Sequence, residues 1–381
     1  MKLQNFIKEI VIISIVLISQ GSVGQVPYER ILNASDEPQN WLTYNGGYMS
    51  QRYSLLDQIN RENVNQLELK WVLQNQVFGA WQSNPIIVDG VMYVTERPNS
   101  VMAVDAVTGR VYWKYRHQNA DNALVCCGAN NRGVAVLNDK VYMGTLDAHL
   151  VALDRVNGQL LWEAEVGDVN LAYSVTMAPL AVKDKILVGV GGGEFGIRGY
   201  VAAFNAETGE QAWKTYTIPG PGEANHDSWE GDDWEHGGAP VWITGSFDSD
   251  LNLTYWGVGN PGPDWNAGQR PGDNLYSDSA IALDADTGEL KWYFQFTPND
   301  AYDYDSVQVP VLADMEWRGE AKKVMMWANR NGYFYVLDRT NGQFLEGKPY
   351  VKVNWSSGLD ENGRPIPSPQ PEGMPTYPGN Q

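Results

Sequence analysis

The sequence predicts an all-β chain folded as a β-propeller with Trp-docking repeats, and three observations carry that prediction. One pattern recurs five times: a small or apolar pair, Asp or Asn, two residues, Thr or Asn, Gly, three residues, then usually Trp. The glycines of the five copies, Gly109, Gly158, Gly209, Gly288 and Gly342, follow one another at intervals of 49, 51, 79 and 54 residues, close to one four-stranded blade per copy. The 381 residues include 39 Gly, 20 Pro, 15 Trp and 20 Tyr, a profile of short strands, tight turns and recurring aromatic plugs in which long helices are scarce.

At the N-terminus, Lys2 and Lys8 precede an uncharged apolar run from Ile10 to Ser19, followed by the small-residue stretch Ser22-Val23-Gly24. This is the pattern of a secretory signal peptide over residues 1–24, cleaved near Gln25. The run is roughly half of the about 20 apolar residues that cross a bilayer, and no later segment is long enough, so no stable membrane insertion is expected. Residues 25–381 are then one partial propeller domain, truncated at its C-terminus.

Within that domain the five copies are Ala103-Val104-Asp105 to Trp113, Ala152-Leu153-Asp154 to Trp162, Ala203-Phe204-Asn205 to Trp213, Ala282-Leu283-Asp284 to Trp292, and Val336-Leu337-Asp338, where Glu346 takes the Trp position. Each reads as a hairpin in which an apolar strand ends at Asp or Asn, Thr-Gly or Asn-Gly makes the turn, and a second strand carries the Trp. Trp at a fixed place in each unit is expected to plug the gap between successive blades. The long interval carries its excess near Pro219 to Arg270, dense in Gly, Pro, Asp and Trp, which predicts a functional excursion on the scaffold. From Ser368 the sequence runs irregularly to Gln381 without a closing strand, so an incomplete ring is expected.

The only cysteines, Cys126 and Cys127, are adjacent, which excludes a disulfide framework and any multi-cysteine zinc site. A strained vicinal ring and two buried free thiols both fit the pair. With 27 basic against 46 acidic residues the formal net charge is −19, and nucleic acid is not an expected partner. Gly191-Gly192-Gly193-Glu194-Phe195-Gly196 matches G-x-G-x-x-G, but the following Tyr200 to Phe204 is a strand, so the dinucleotide fingerprint lacks its helix. Asp284-Ala285-Asp286 opens like a calcium loop without the closing Glu and is better taken as a repeat turn. His117, His149, His226 and His236 show no paired metal-ligand spacing, and no G-x-S-x-G elbow occurs.

Gly193-Glu194-Phe195-Gly196-Ile197-Arg198-Gly199-Tyr200, Gly257-Val258-Gly259-Asn260-Pro261-Gly262-Pro263 and Pro298-Asn299-Asp300-Ala301-Tyr302-Asp303-Tyr304-Asp305 resemble the motifs of the pyrroloquinoline quinone (PQQ)-dependent alcohol dehydrogenases. The adjacent cysteines and Trp repeats belong to that family too, and the resemblance runs from about Asn40 to the C-terminus. It implies an eight-bladed propeller, of which about five repeats are present here, with PQQ in a central funnel beside a metal ion. An N-terminal fragment of a longer enzyme is therefore expected, lacking contacts that later blades would make.

By motif, the resemblance implies metal binding by Glu194, Asn260 and Asp303, with Asp303 also the catalytic base that takes the hydroxyl proton as hydride leaves the alcohol carbon. Two carboxylates and an amide oxygen are hard ligands. The family's lanthanide-using members carry an Asp two residues after the base, as Asp305 does here, so lanthanide is favoured over calcium. An extended backbone would turn Asp303 and Asp305 to the same side. Around the quinone the resemblance implies a Cys126-Cys127 disulfide ring on one face, Trp242 stacked on the other, Arg132 as a carboxylate clamp, Arg330 at a quinone oxygen, and edge contacts from Gln82, Thr176, Gly192 and Gly193. The implied protein is periplasmic, oxidises a small primary alcohol, passes electrons to a soluble cytochrome c, and pairs as a homodimer when full length. A noncatalytic envelope scaffold built on the same Trp repeats, and a PQQ-dependent sugar or polyol dehydrogenase, are the rival readings. A scaffold has no use for Glu194, Asn260, Asp303 and the cysteine pair together.

Overall fold

Residues 24–368 are described by a computed structural model, so the expected signal peptide lies outside the described residues apart from its last position. Each of the five repeats closes one four-stranded antiparallel sheet in simple sequential order. The first blade holds β1 (Ile86–Val88), β2 (Val91–Glu96), β3 (Ser100–Asp105) and β4 (Val111–Arg116). The second holds β5 (Ala135–Leu137), β6 (Lys140–Gly144), β7 (His149–Asp154) and β8 (Leu160–Glu165). The third holds β9 (Leu180–Val182), β10 (Lys185–Gly189), β11 (Tyr200–Asn205) and β12 (Gln211–Tyr216). The fourth holds β13 (Ser246–Asp248), β14 (Leu253–Gly257), β15 (Ser279–Asp284) and β16 (Leu290–Gln295). The fifth holds β17 (Val311–Trp317), β18 (Glu320–Ala328), β19 (Tyr333–Asp338) and β20 (Gln343–Pro349), followed by a hairpin of β21 (Ser356–Leu359) and β22 (Pro365–Pro367). Among the described residues the one α-helix is Tyr28–Leu32, and no helix is long and apolar enough to cross a membrane.

Third strands are mostly apolar because both their faces are covered by neighbouring blades, whereas fourth strands alternate. Val101 to Val104 of β3 are all buried, while β4 buries only Trp113. The repeat turn owes its shape to its Asp: the Asp105 carboxylate accepts the backbone N–H groups of Val107 and Thr108 at 2.9 and 3.0 Å. Gly109 then takes a φ of +75°, open to glycine at no steric cost, and the ladder slips by one residue between Ala103 and Val104.

The tryptophans join the blades as the repeat predicts. Trp113 donates its indole N–H to the Arg155 carbonyl of the next blade at 3.1 Å and lies flat against Gly158. Trp162, Trp213 and Trp292 repeat this on Ala206, Ala285 and Arg339, each over the next repeat glycine. Trp71 does the same to Ala106 and Gly109, a joint that sequence comparison misses because no Asp-x-x-Thr-Gly turn precedes it. A Cβ on Gly158 would come within 2.5 Å of the Trp113 ring, and its φ of +74° disfavours any side chain. Gly158→Ala should therefore cost about 2–4 kcal/mol of unfolding free energy, read in a urea titration as a lowered midpoint at unchanged slope.

The predicted excursion is two loops rather than one, residues 217–245 before β13 and 258–278 between β14 and β15. They are laced together: Asn274 N–H bonds the Ser228 carbonyl at 3.0 Å, the Trp229 indole bonds the Leu275 carbonyl at 2.5 Å, and Ala239 N–H bonds the Asn260 carbonyl at 2.9 Å.

Candidate active site

In a sequential antiparallel sheet, the start of the first strand, the end of the second, the start of the third and the end of the fourth share one edge. Loops between second and third strands, and loops between blades, therefore open on one face of the propeller, and repeat turns open on the other. Gly192, Glu194, Asn260 and Arg330 lie on second-to-third loops, while Cys126, Cys127, Arg132, Thr176, Trp242, Asp303 and Asp305 lie between blades. One face thus collects them all.

They surround a cavity of ≈ 570 Å³. Its wall includes Gln82, Cys126, Cys127, Arg132, Thr176, Gly192, Glu194, Trp242, Asp303, Asp305 and Arg330. Gly193 and Asn260, also expected at the site, stand just behind this wall. Gly193 is buried against Pro240, and a Cβ on it would lie 3.7 Å from the Asn260 amide oxygen. The other end of that amide is committed, since Nδ2 donates to Asp264 at 2.7 Å, which leaves the oxygen as the atom available to an ion.

Asp305 is 7% exposed. Its Oδ1 accepts the Trp242 indole N–H and the Asn260 backbone N–H, each at 3.1 Å, and its Oδ2 meets Arg330 Nη1 at 3.2 Å. Burial, with the neighbouring Asp303 charge, nevertheless pushes its carboxyl up to about 7. Asp303 is raised by burial against the opposing pull of Arg330, whose Nη2 lies 3.9 Å away. Glu194, whose side chain reaches solvent at the cavity mouth, is also raised, by partial burial and then by Asp264 and Asp303. Carboxyl groups held above their ordinary range signal an excess of negative charge in a poorly solvated space. A cation among the oxygens of Glu194, Asn260, Asp303 and Asp305 would relieve it, so the donor set fits a hard ion.

The backbone at this point corrects an expectation. Residues 303–305 are not extended: Asp303 and Asp305 both adopt left-handed conformations, with φ of 57° and 48°. Their carboxylates share the cavity because the loop is braced from outside it. The buried Asp300 carboxylate accepts the N–H groups of Tyr302 and Tyr304 at 2.9 and 2.7 Å. Buried Arg270 ties the Asp300 carbonyl to the Asp264 carbonyl and Asn274. Asp264, Arg270 and Asp300 were not anticipated from sequence.

Opposite, Arg132 donates to Thr176 Oγ1 at 2.8 Å and lays its guanidinium 4.7 Å over the Trp242 ring. The Cys126 and Cys127 sulfurs lie against each other, and each is within 4.8 Å of a Glu194 carboxylate oxygen. A flat aromatic face, a sulfur pair, two guanidinium groups and hard oxygen donors therefore border one space, a setting suited to a planar anionic cofactor beside a cation.

Residues 41–368 match the family model described as PQQ: glucose/ethanol/alcohol dehydrogenase, beta-propeller domain. The chain belongs to the PQQ-dependent dehydrogenase family. Among its relatives in that family, it is 42% identical over 378 residues to the quinoprotein alcohol dehydrogenase PedH of Pseudomonas putida, covering 93% of this chain and 63% of that protein. It is 42% identical over 379 residues to the dehydrogenase subunit of alcohol dehydrogenase (quinone) from Komagataeibacter europaeus, covering 92% and 50%. The solved quinohemoprotein alcohol dehydrogenase ADHIIG of Pseudomonas putida superposes with a TM-score of 0.87 at 41% identity, over 91% of this chain and 53% of that one. A europium-containing methanol dehydrogenase superposes with 0.85 at 38% identity, over 89% and 63%. The chain thus spans about half to two thirds of the length of these relatives.

Proposed function

We propose that the full-length protein is a periplasmic quinoprotein alcohol dehydrogenase that oxidises a small primary alcohol to an aldehyde with PQQ and a lanthanide ion. The observation that carries this is the convergence of Glu194, Asp303, Asp305, Arg330, Trp242 and the cysteine pair on one cavity wall, with the Asn260 amide just behind it. PQQ, when bound, supplies a two-electron acceptor. Glu194, Asn260, Asp303 and Asp305 would hold the ion, Trp242 and a Cys126-Cys127 disulfide would bound the two cofactor faces, and Arg132 and Arg330 would meet its anionic edge. Asp303, the least enclosed of the loop's carboxylates, is the group that would take the hydroxyl proton.

With an ion bound, Glu194, Asp303 and Asp305 would supply three negative charges, which balance a trivalent ion and overcharge a divalent one. The europium in one structural relative supports the same choice. Electrons would leave to a soluble cytochrome c, and the basic residues of such a partner would be drawn to a protein of net charge −19. Full-length protein reconstituted with PQQ and lanthanum, offered a panel of primary alcohols and aldoses, should reduce acceptor with the alcohols. Turnover with aldoses alone, or none with any substrate despite bound PQQ, would overturn the assignment.

A further inference from the structure

A second cluster of metal-ligating side chains sits on the same face of the propeller, away from the cavity, where the first two blades meet. His149 opens β7 and is paired across the ladder with Glu165, so Glu163, two residues earlier on β8, shares its sheet face. His117 follows the last residue of β4 in the neighbouring blade. One ring nitrogen from each histidine and a Glu163 carboxylate oxygen all lie within 4.8 Å of one another, and His149 Nε2 is 4.0 Å from Glu163 Oε1.

Two features set this group apart from a surface ion pair. Asp147 stands behind His117, its Oδ1 and Oδ2 at 3.0 and 3.1 Å from Nε2, and is itself fixed by Thr145 Oγ1 at 2.6 Å and Ala120 N–H at 2.9 Å. A carboxylate that holds one imidazole nitrogen leaves the other oriented as a ligand, the usual arrangement behind a metal-bound histidine. The second feature is His149 Nδ1, which is buried without a hydrogen-bond partner, 3.7 Å from Asp147 and beyond bonding reach. Asp147 thus stands on the Nδ1 side of His149 as it stands behind His117, which leaves Nε2 turned toward Glu163 as the ligand nitrogen.

We propose that His117, His149 and Glu163 form a second cation site for a borderline divalent ion of the zinc class, which anchors the loop carrying Cys126 and Cys127. Two imidazoles and one carboxylate, with a fourth position open to water, are a zinc donor set, unlike the all-oxygen set in the cavity. Bonds of about 2.0–2.2 Å in tetrahedral geometry put donors roughly 3.3–3.5 Å apart, so the three groups need to close by about an ångström, a side-chain adjustment. The loop that leaves His117 is tied to Asp147 at Ala120 and to Asn170 through Asn122 at 2.8 Å before it reaches the cysteines and Arg132. An ion on His117 would stiffen that loop at its root.

The test uses full-length, PQQ-loaded protein whose cavity site is saturated with lanthanum. Calorimetric titration with Zn²⁺ should show one further equivalent, and Co²⁺ should give the intense visible bands of a tetrahedral site that Zn²⁺ then abolishes. His149→Gln and Glu163→Gln, both at partly exposed positions, should each weaken Zn²⁺ affinity at least about tenfold. Zn²⁺ should also slow hydrogen exchange across residues 118–130. No saturable uptake, uptake that both variants leave unchanged, or a weak octahedral Co²⁺ spectrum would overturn the proposal.

Discussion

Asp303→Asn should lower turnover of the full-length, PQQ-loaded enzyme by at least about a hundredfold while leaving its fold and cofactor content nearly unchanged. The fold should survive for a backbone reason. Asp303 sits at a φ of 57°, in the left-handed region that Asn tolerates as well as Asp. The loop around it is shaped by Asp300 and Arg270 rather than by the Asp303 side chain. What the substitution removes is a proton acceptor and one negative charge beside Arg330. Steady-state rates at saturating metal isolate the first loss, because an affinity defect alone would be overcome by excess ion. Glu194→Ala gives the contrasting outcome, activity recovered in part as metal is raised. Near-normal turnover by Asp303→Asn would remove Asp303 from the role of base.

Asp305→Ala should abolish lanthanide-supported turnover and leave calcium-supported turnover measurable. Loss of lanthanide-supported rate should exceed about a hundredfold, the upper end of what changes in a metal's surroundings usually cause. Alanine also leaves the Trp242 indole and the Asn260 N–H without their acceptor. Asp305→Asn separates the two effects, since its amide oxygen can still accept from both donors while the charge is gone. If charge decides metal choice, Asn should lose the lanthanide preference as Ala does. Wild-type enzyme that regained full activity with calcium and none with lanthanum or cerium would overturn the trivalent assignment and leave the quinoprotein assignment standing.

The blades could be foreseen because their determinants are local. Asp105, Thr108 and Gly109 make a turn with their own backbone, and the same residues recur at blade-length intervals. The site residues came from motif resemblance, and most do line one cavity. What sequence could not reach is whatever depends on contacts far along the chain. Arg270 means nothing until Asp300, thirty residues away, is folded against it. Asp264 lies only four residues from Asn260, but its part in the site shows only in the folded loop, where it accepts the Asn260 amide N–H. Trp71 lacks the turn that marks its counterparts and is recognised only by the carbonyl and glycine it covers. Residues 303–305 depart from the expected extension because the buried Asp300 carboxylate, which strand alternation does not take into account, holds the backbone N–H groups of Tyr302 and Tyr304.

The Trp-to-Gly joints have a consequence for precision. Each couples one blade only to the next, while the segment at residues 41–51 bonds to Ile87, Ala181, Phe247 and Leu312 and so ties the first, third, fourth and fifth blades together. Gln82 comes from the entry to the first blade, Arg132 the second, Thr176 and Glu194 the third, Trp242 and Asn260 the fourth, and Asp303 and Arg330 the fifth. The gap across the cavity is therefore set by the joints and by the segment that crosses between the blades. A slackened tryptophan at the outer rim, remote from any reacting atom, would appear as a mis-set distance between Glu194 and Asp303, where rates are most sensitive to small displacements.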